Sequence, residues 1–334
     1  MDNLTHSLVG LFLARAGFKR FTACGTAILV LAANAPDIDV VSWFWGRPTW
    51  LHWHRNITHS LVGAPLMALL TVAVVALIAR KQRISWWPAF WIALVGIASH
   101  LMLDLTNVYG VRLLLPFSGH WFHLDITPVV DFTVWAILLL GVVAPWLSRL
   151  VGSEIGETGK ERGNAGWAVT ALVLFTVFDY SRSVFHERAA NILNSRIYNG
   201  LAPRRVGAFP SGNPLVWRGM AEMSNAFVEV PVDLRTRFHP SDEVTYYKPP
   251  RTPAMQAAME TYPFRMLLEF VQWPLWVIEP AADNDRTGGG GTRVSLIDLR
   301  FGTPSETGFA ATALVDRNNQ VEESIFGLGE VKQR

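Results

Sequence analysis

A chain of 334 residues that is 50% hydrophobic and only 17% charged carries too much apolar surface for an ordinary water-soluble enzyme, and it is long enough for two structural units. Its 29 basic and 27 acidic residues leave a formal charge of +2 with no dense basic tract, so nucleic acid is not expected as a partner. The single cysteine, Cys24, excludes a disulfide framework and a thiolate zinc site, which leaves imidazole and carboxylate to hold any transition metal.

In chain order, the first residues, Met1 to His6, lack the positive region of a signal peptide and are expected to be retained. Leu4 to Phe18 and Phe21 to Ala35 are apolar but of marginal length, and can be tilted, re-entrant or packed inside a bundle. Ser60 to Ala79, Trp86 to Thr106 and Pro128 to Ser148 each approach the roughly 20 residues that a bilayer demands, and Gly166 to Tyr180 is a shorter version of the same. Arg15, Lys19 and Arg20, then Arg80, Lys81 and Arg83, then Arg149, Lys160 and Arg162 fall in alternate loops, which the positive-inside rule assigns to the cytoplasm. The N-terminus, residues 36 to 58, residues 107 to 127 and everything after Ser181 then face the periplasm or cell exterior.

Tyr180 to Tyr198 reads as a linking helix. Beyond it the composition turns polar and proline-rich, with β-like runs at Leu215 to Trp217, Phe227 to Val232, Arg293 to Phe301 and Ala310 to Asp316, and a turn at Asn318-Asn319. The expected architecture is a mainly α membrane helical bundle of four to six membrane segments (1–181), a linker helix (182–204) and a soluble α+β domain (205–334). The Gly288 to Gly291 run precedes no Gly-Lys-Ser/Thr and is expected to be a turn, not a phosphate loop.

Seven of the nine histidines lie in the first 123 residues, the most apolar part of the chain, where histidine and aspartate are costly and so point to function. His100 and Asp104, four apart near the end of a predicted membrane helix, share a face. Asp37 and Asp39, in an extended loop after Pro36, can converge on one or two cations. His54 is expected on a loop and His59 in the first turn of the next helix, capped by Thr58 or a neighbour. His6 falls on the same predicted membrane side. Taken singly, each of these has a bland reading as an interfacial hydrogen-bonder or helix cap; their convergence on one side is what points to a divalent metal. Zinc is expected, with manganese or iron as alternatives, in a site of one to three ions that acidifies a bound water for hydrolysis. Arg55 and Arg112 are candidate stabilisers of a substrate anion or, equally, lipid-headgroup anchors. His123, Asp125 and Asp131 are further candidates as extra ligands or orienters of ligand histidines. His52 and His120, set among tryptophans, read as interfacial, and His186 and His239 receive no role. No Gly-x-Ser-x-Gly or His-Glu-x-x-His motif is present.

Pro36-Asp37-Ile38-Asp39, His54-Arg55-Asn56-Ile57-Thr58-His59-Ser60-Leu61 and Ser99-His100-Leu101-Met102-Leu103-Asp104-Leu105-Thr106, followed by Gly110 to Pro116, resemble the LexA-binding, inner-membrane-associated metal-dependent hydrolases, the YdjM-like family. The resemblance covers roughly residues 1 to 150. It implies a helical phosphodiesterase-type metal site, distantly like those of zinc-dependent phospholipase C and the zinc-dependent single-strand nucleases, with His6, Asp37, Asp39, His54, His59, His100 and Asp104 as ligands. Val40 departs from it, standing where some members have histidine. A LexA-type partner is only weakly implied, because such a partner is cytoplasmic and the predicted topology places the C-terminal domain outside.

The leading expectation is thus a multi-pass bacterial inner-membrane hydrolase of phosphoester bonds, on a small molecule or a lipid or lipid-linked substrate, with the site at the periplasmic face. A cation transporter, a metal-sensing membrane protein and a noncatalytic scaffold with a structural metal are the competing readings.

Overall fold

Asp2 starts the first helix by accepting from the Leu4 and Thr5 amides at 3.0 Å, and Gly17, at φ 136°, ends it. In the computed structural model, which describes residues 1–154, 164–236, 242–281, 290–306 and 308–328, this helix is α1 (Asn3–Ala16). It is followed by α2 (Gly25–Ala32), a 3-10 helix (Ala35–Trp45), α3 (Arg47–Trp53), a short 3-10 turn (Ile57–His59), α4 (Gly63–Ile78), α5 (Trp86–Thr106), α6 (Phe132–Glu154) and α7 (Asn164–Asn194).

Among the described residues, three helices are long and apolar enough to cross a membrane: Trp86–Thr106, Phe132–Leu150 and Ala165–Asn194. The number rises to five if each of two bent pairs, α2 with the 3-10 helix after it and Arg47–His59 with α4, is one span. Leu66, Leu69, Leu77, Leu140, Val173 and Val177 lie exposed on these helices, as expected of side chains facing lipid. α1, with 14 residues, is shorter than a bilayer crossing requires. α7 runs unbroken through residue 181, so the expected linking helix is the continuation of the last membrane segment.

Close approach of helices sets the bundle's interior. α2 lies between α1 and α5, where a Cβ on Gly10 would sit 2.9 Å from the Leu29 carbonyl oxygen and one on Gly96 would sit 2.8 Å from Ala32 Cβ. At one end of the bundle, the Ser85 amide donates to Thr22 Oγ1 at 3.1 Å, joining the two loops that carry Lys19, Arg20, Arg80, Lys81 and Arg83. The segments 35–59 and 107–131 gather at the opposite end.

The C-terminal region is two antiparallel meanders. β1 (Arg205–Pro210), β2 (Val216–Glu222), β3 (Ala226–Asp233) and β4 (Val244–Tyr247) form one sheet in sequence order. After α8 (Pro253–Met259) and α9 (Tyr262–Phe270), β5 (Pro274–Pro280), β6 (Thr292–Asp298), β7 (Phe309–Val315) and β8 (Val321–Leu328) form the other. The expected turn joins β7 to β8: Asn319 has φ 59°, and Asp316 Oδ1 accepts from the Asn318 and Gln320 amides. In the glycine run, Gly290 has φ +91°; Gly288 and Gly289, with Lys160, Arg162 and His239, lie outside the described residues.

This region does not hang free of the bundle. Leu51, Tyr109 and Trp121 are buried in one core with Phe264, Leu267, Phe270, Leu296 and Val315. Tyr109 packs on Phe270 at 4.6 Å and on Phe309 at 5.9 Å between ring centroids, and burying each such ring contributes about 2–3 kcal/mol. The fully buried Arg300 fastens the joint, donating to the Val108 carbonyl at 3.0 Å and the Phe270 carbonyl at 3.1 Å while Asp298 balances its charge.

Candidate metal centre

The end of the bundle covered by the C-terminal sheets is where the polar residues of the apolar half meet. His100 lies on α5 and donates its Nδ1 proton to the Ala33 carbonyl, 2.8 Å away at the end of α2. A carbonyl can only accept, so the ring's other nitrogen, Nε2, carries a lone pair when the imidazole is neutral. His59 is fixed in the same sense. Its Nδ1 lies 3.1 Å from Thr58 Oγ1 and 3.2 Å from Asp39 Oδ2, and Thr58 itself donates to that carboxylate at 3.1 Å.

With both Nδ1 atoms engaged as donors, the two Nε2 atoms face each other at 3.1 Å. Asp104 Oδ2 lies 3.3 Å from His100 Nε2 and 3.5 Å from His59 Nε2, and Asp37 Oδ1 lies 3.7 and 3.4 Å from the same two atoms. Asp104 Oδ2 is buried and receives no hydrogen bond. One atom from each of Asp37, His59, His100 and Asp104 lies within 4.8 Å of the other three. Converging lone pairs repel unless positive charge stands among them, so the donor set fits a divalent cation, and two imidazoles with two carboxylates suit zinc, manganese or iron.

Asp37 and Asp39 do not act side by side. In an extended segment residues two apart share a face, but residues 35–45 form a 3-10 helix, where two steps turn the chain by about 240°. The two carboxylates therefore reach His59 from opposite sides, Asp37 at Nε2 and Asp39 at Nδ1. The expected extended loop is thus corrected. His59 also sits in a separate 3-10 turn capped by Asn56, whose side chain accepts from the Ile57 amide, and not in the first turn of α4. Between them the chain reverses at Arg55, whose φ of 56° is unusual for a non-glycine residue and aims its amide at Asp39 Oδ2, 2.8 Å away.

The other candidates divide. His54 Nδ1 bonds Asp39 Oδ1 at 2.9 Å and its ring stacks on Trp50, which places it beside the cluster on the far side of Asp39. His6 stacks on His100 with centroids 3.9 Å apart, and its Nε2 lies 3.4 Å from Asp104 Oδ1. The Met1 terminal amine also contacts that oxygen. Arg55 is buried and donates to Asp104 Oδ1 at 2.8 Å, Asn107 Oδ1 at 3.1 Å and the Gly110 carbonyl at 2.9 Å. It holds a candidate ligand in place, whereas the sequence suggests a partner for a substrate anion.

Arg112 gives Nη2 to the His52 carbonyl at 2.6 Å and lies over the Trp121 ring. His123 is taken by Asp125 at 2.8 Å and Gln272 at 2.6 Å, while Asp131 pairs with Arg182 at 2.9 Å and caps α6. None of Arg112, His123, Asp125 and Asp131 is among the four residues brought together. His52 meets Glu269 at 2.8 Å, His120 packs on Phe122, and Val40 is 56% exposed.

Sequence reasoning misses Asn107 and Tyr109. Asn107 is wholly buried and ties Arg55 to the amides of Tyr109 and Gly110; its position three residues after Asp104 is the one sequence signal for it. Gly110, at φ +80°, is required there, because a Cβ would lie 2.7 Å from the Phe122 carbonyl oxygen. Tyr109 stacks against the Arg55 guanidinium, and burial pushes its hydroxyl above the usual range.

Fold and cluster together define a multi-helix membrane protein with a candidate metal centre at one end of its bundle. The chain matches, over residues 1–185, the family described as YdjM inner membrane protein, and it belongs to that family. It is also similar to the Bacillus subtilis (strain 168) "Uncharacterized protein YfhP", with 23% identity over 337 residues covering 98% of this chain and 95% of that protein. No solved structure matches it.

Proposed function

We propose that this protein is a membrane-embedded, metal-dependent hydrolase of phosphoester bonds. The observation that carries the reading is the convergence of His59 Nε2, His100 Nε2, Asp37 Oδ1 and Asp104 Oδ2, with one ligand atom from each of the four residues within 4.8 Å of the others. These four residues would hold the cation. A bound divalent ion supplies a Lewis acid and an activated water.

The chain's own contribution is arrangement. Ala33 and Asp39 fix the two imidazole tautomers, which keeps both Nε2 lone pairs turned inward. Arg55 balances Asp104 through Oδ1 and leaves Oδ2 free. Burial of His59, His100 and Asp104 keeps bulk water from competing. The phosphoester preference is supported by the distant resemblance to phospholipase C and the single-strand nucleases. With the basic loops in the cytoplasm, as the positive-inside rule has it, the reaction would take place at the periplasmic face.

Purified full-length protein should carry stoichiometric divalent metal, measured by mass spectrometry of the elements, and should hydrolyse bis(4-nitrophenyl) phosphate in a chelator-sensitive way. His100→Ala and Asp104→Asn should each lose both properties. Metal retained at full stoichiometry in both variants, or hydrolysis unchanged after chelation, would overturn the reading.

A further inference from the structure

Of the four residues at the cluster, His59, His100 and Asp104 have fully buried side chains, whereas that of Asp37 is 13% exposed. The surroundings of Asp37 therefore decide what can approach. Asp37 opens into a groove of about 350 Å³ between α2 and α4, walled by Leu31, Ile38, Met67, Leu70 and Val74. The α4 members recur at the spacing of one helix face, so the groove runs along α4 for about two turns, on the order of 10 Å.

Leu31, Leu70 and Val74 are 45%, 47% and 40% exposed, and α2 and α4 are the apolar halves of the two bent candidate spans. Thr71, the hydroxyl-bearing residue on this wall, donates to its own helix at the Met67 carbonyl. Asn3 and Asn34 also line the groove, and the Asn34 amide donates to Ser7 Oγ and the Val30 carbonyl; the remaining wall is apolar, lies on the outer side of the two candidate spans, and ends at a carboxylate of the cluster. On the other side of the 35–45 helix a second groove, between Trp45, Trp53 and Ile57, ends at Asp39. The Asp39 oxygens are already taken by His54, Thr58 and the Arg55 amide, so that groove offers no open ligand.

We infer that the α2–α4 groove seats an acyl chain of a bilayer phospholipid and presents its phosphoester at Asp37, so that the substrate enters sideways from the membrane. The inference rests on the hydrolase reading and narrows it to lipids. Its test is made on the full chain in nanodiscs of phosphatidylethanolamine and phosphatidylglycerol, doped with a phosphatidylglycerol that carries a photoreactive diazirine in one acyl chain. After irradiation, peptide mass spectrometry should find labelling concentrated at Leu31, Met67, Leu70 and Val74. Leu70→Trp and Val74→Trp, which fill the groove from exposed positions, should each reduce it several-fold. Leu69→Trp, at a residue equally exposed but outside the groove, should leave it unchanged.

Labelling spread evenly over the lipid-facing residues, or insensitive to both groove variants, would overturn the inference. Metal content measured on the same samples separates the two ideas. Absent groove labelling with metal bound sinks the lipid groove alone, and groove labelling with no metal bound upholds the groove while sinking the hydrolase reading.

Discussion

Arg55 Nη2 donates to Asp104 Oδ1 at 2.8 Å, while the other oxygen of that carboxylate faces His59 and His100 without a hydrogen bond. One side of Asp104 is neutralised by the chain and the other is left for a cation. Removing one partner of a buried ion pair costs about 3–5 kcal/mol, so Arg55→Ala should unfold at a distinctly lower temperature than the unmodified protein. Added zinc should raise its midpoint by more than it raises that of the parent, because the ion then supplies the missing positive charge. Identical midpoints with and without zinc would refute this account.

Asp39 acts through His59. Asp39→Asn keeps the shape but removes the charge that orients the ring, and metal affinity should drop about 10- to 100-fold while the fold survives. Competition against a chromophoric chelator measures this directly. An unchanged affinity would mean that Thr58 alone holds the ring.

Metal binding should also weaken in acid. A ligand imidazole must be free of its proton at the coordinating nitrogen, so protons compete with the cation for the Nε2 lone pairs. Apparent affinity should fall steadily as pH is lowered from about 8 to 5, by about tenfold per unit for each proton displaced. A flat profile over that range would indicate that the ion is not held by histidine.

A second acid response belongs to the C-terminal sheets. Partial burial alone would raise the Glu222 carboxyl, but Lys248 at 2.6 Å and Arg205 at 2.8 Å hold it below the usual carboxylate range. A depressed folded value gives stability that is present above the unfolded value and lost as pH falls through the folded one. Glu222→Gln should therefore flatten the acid limb of the unfolding curve. The effect should be no more than about 1 kcal/mol because the pair is partly exposed. An unaltered acid limb would count against it.

Gly96 lies one helical turn before His100, at the closest approach of α5 to α2. Gly96→Val forces the helices apart, since its Cβ would meet Ala32 Cβ at 2.8 Å and the Leu29 carbonyl oxygen at 3.1 Å. Overpacking of this kind costs about 1–3 kcal/mol. It should also weaken metal binding, because the Ala33 carbonyl that fixes His100 moves with α2. Titration calorimetry that returned the parental affinity would separate helix packing from ligand orientation.

The residue types of the candidate cluster were legible because histidine and aspartate are expensive in an apolar sequence, and α5 appears at its predicted bounds because its length and apolarity are unambiguous. Which carboxylate faces the cluster was not legible. That depends on whether residues 35–45 are extended or 3-10, and an apolar run with two aspartates and a proline suits both. The same local ambiguity hid the role of Arg55, whose partners Asn107 and Gly110 lie more than fifty residues away. In the C-terminal region, the runs predicted as strands fall in β2, β3, β6 and β7. The β1, β4 and β5 strands were not anticipated; β1 and β5 each end in proline, which reads as a breaker.

The core shared by Leu51, Tyr109 and Trp121 with the second sheet has a topological corollary. A lipid bilayer cannot pass between surfaces packed that tightly, so the sheets and the cluster occupy the same aqueous compartment. An epitope inserted at the exposed Ser305 loop, read for antibody access in intact cells, would therefore also report the side of the membrane on which the candidate centre's end of the bundle lies.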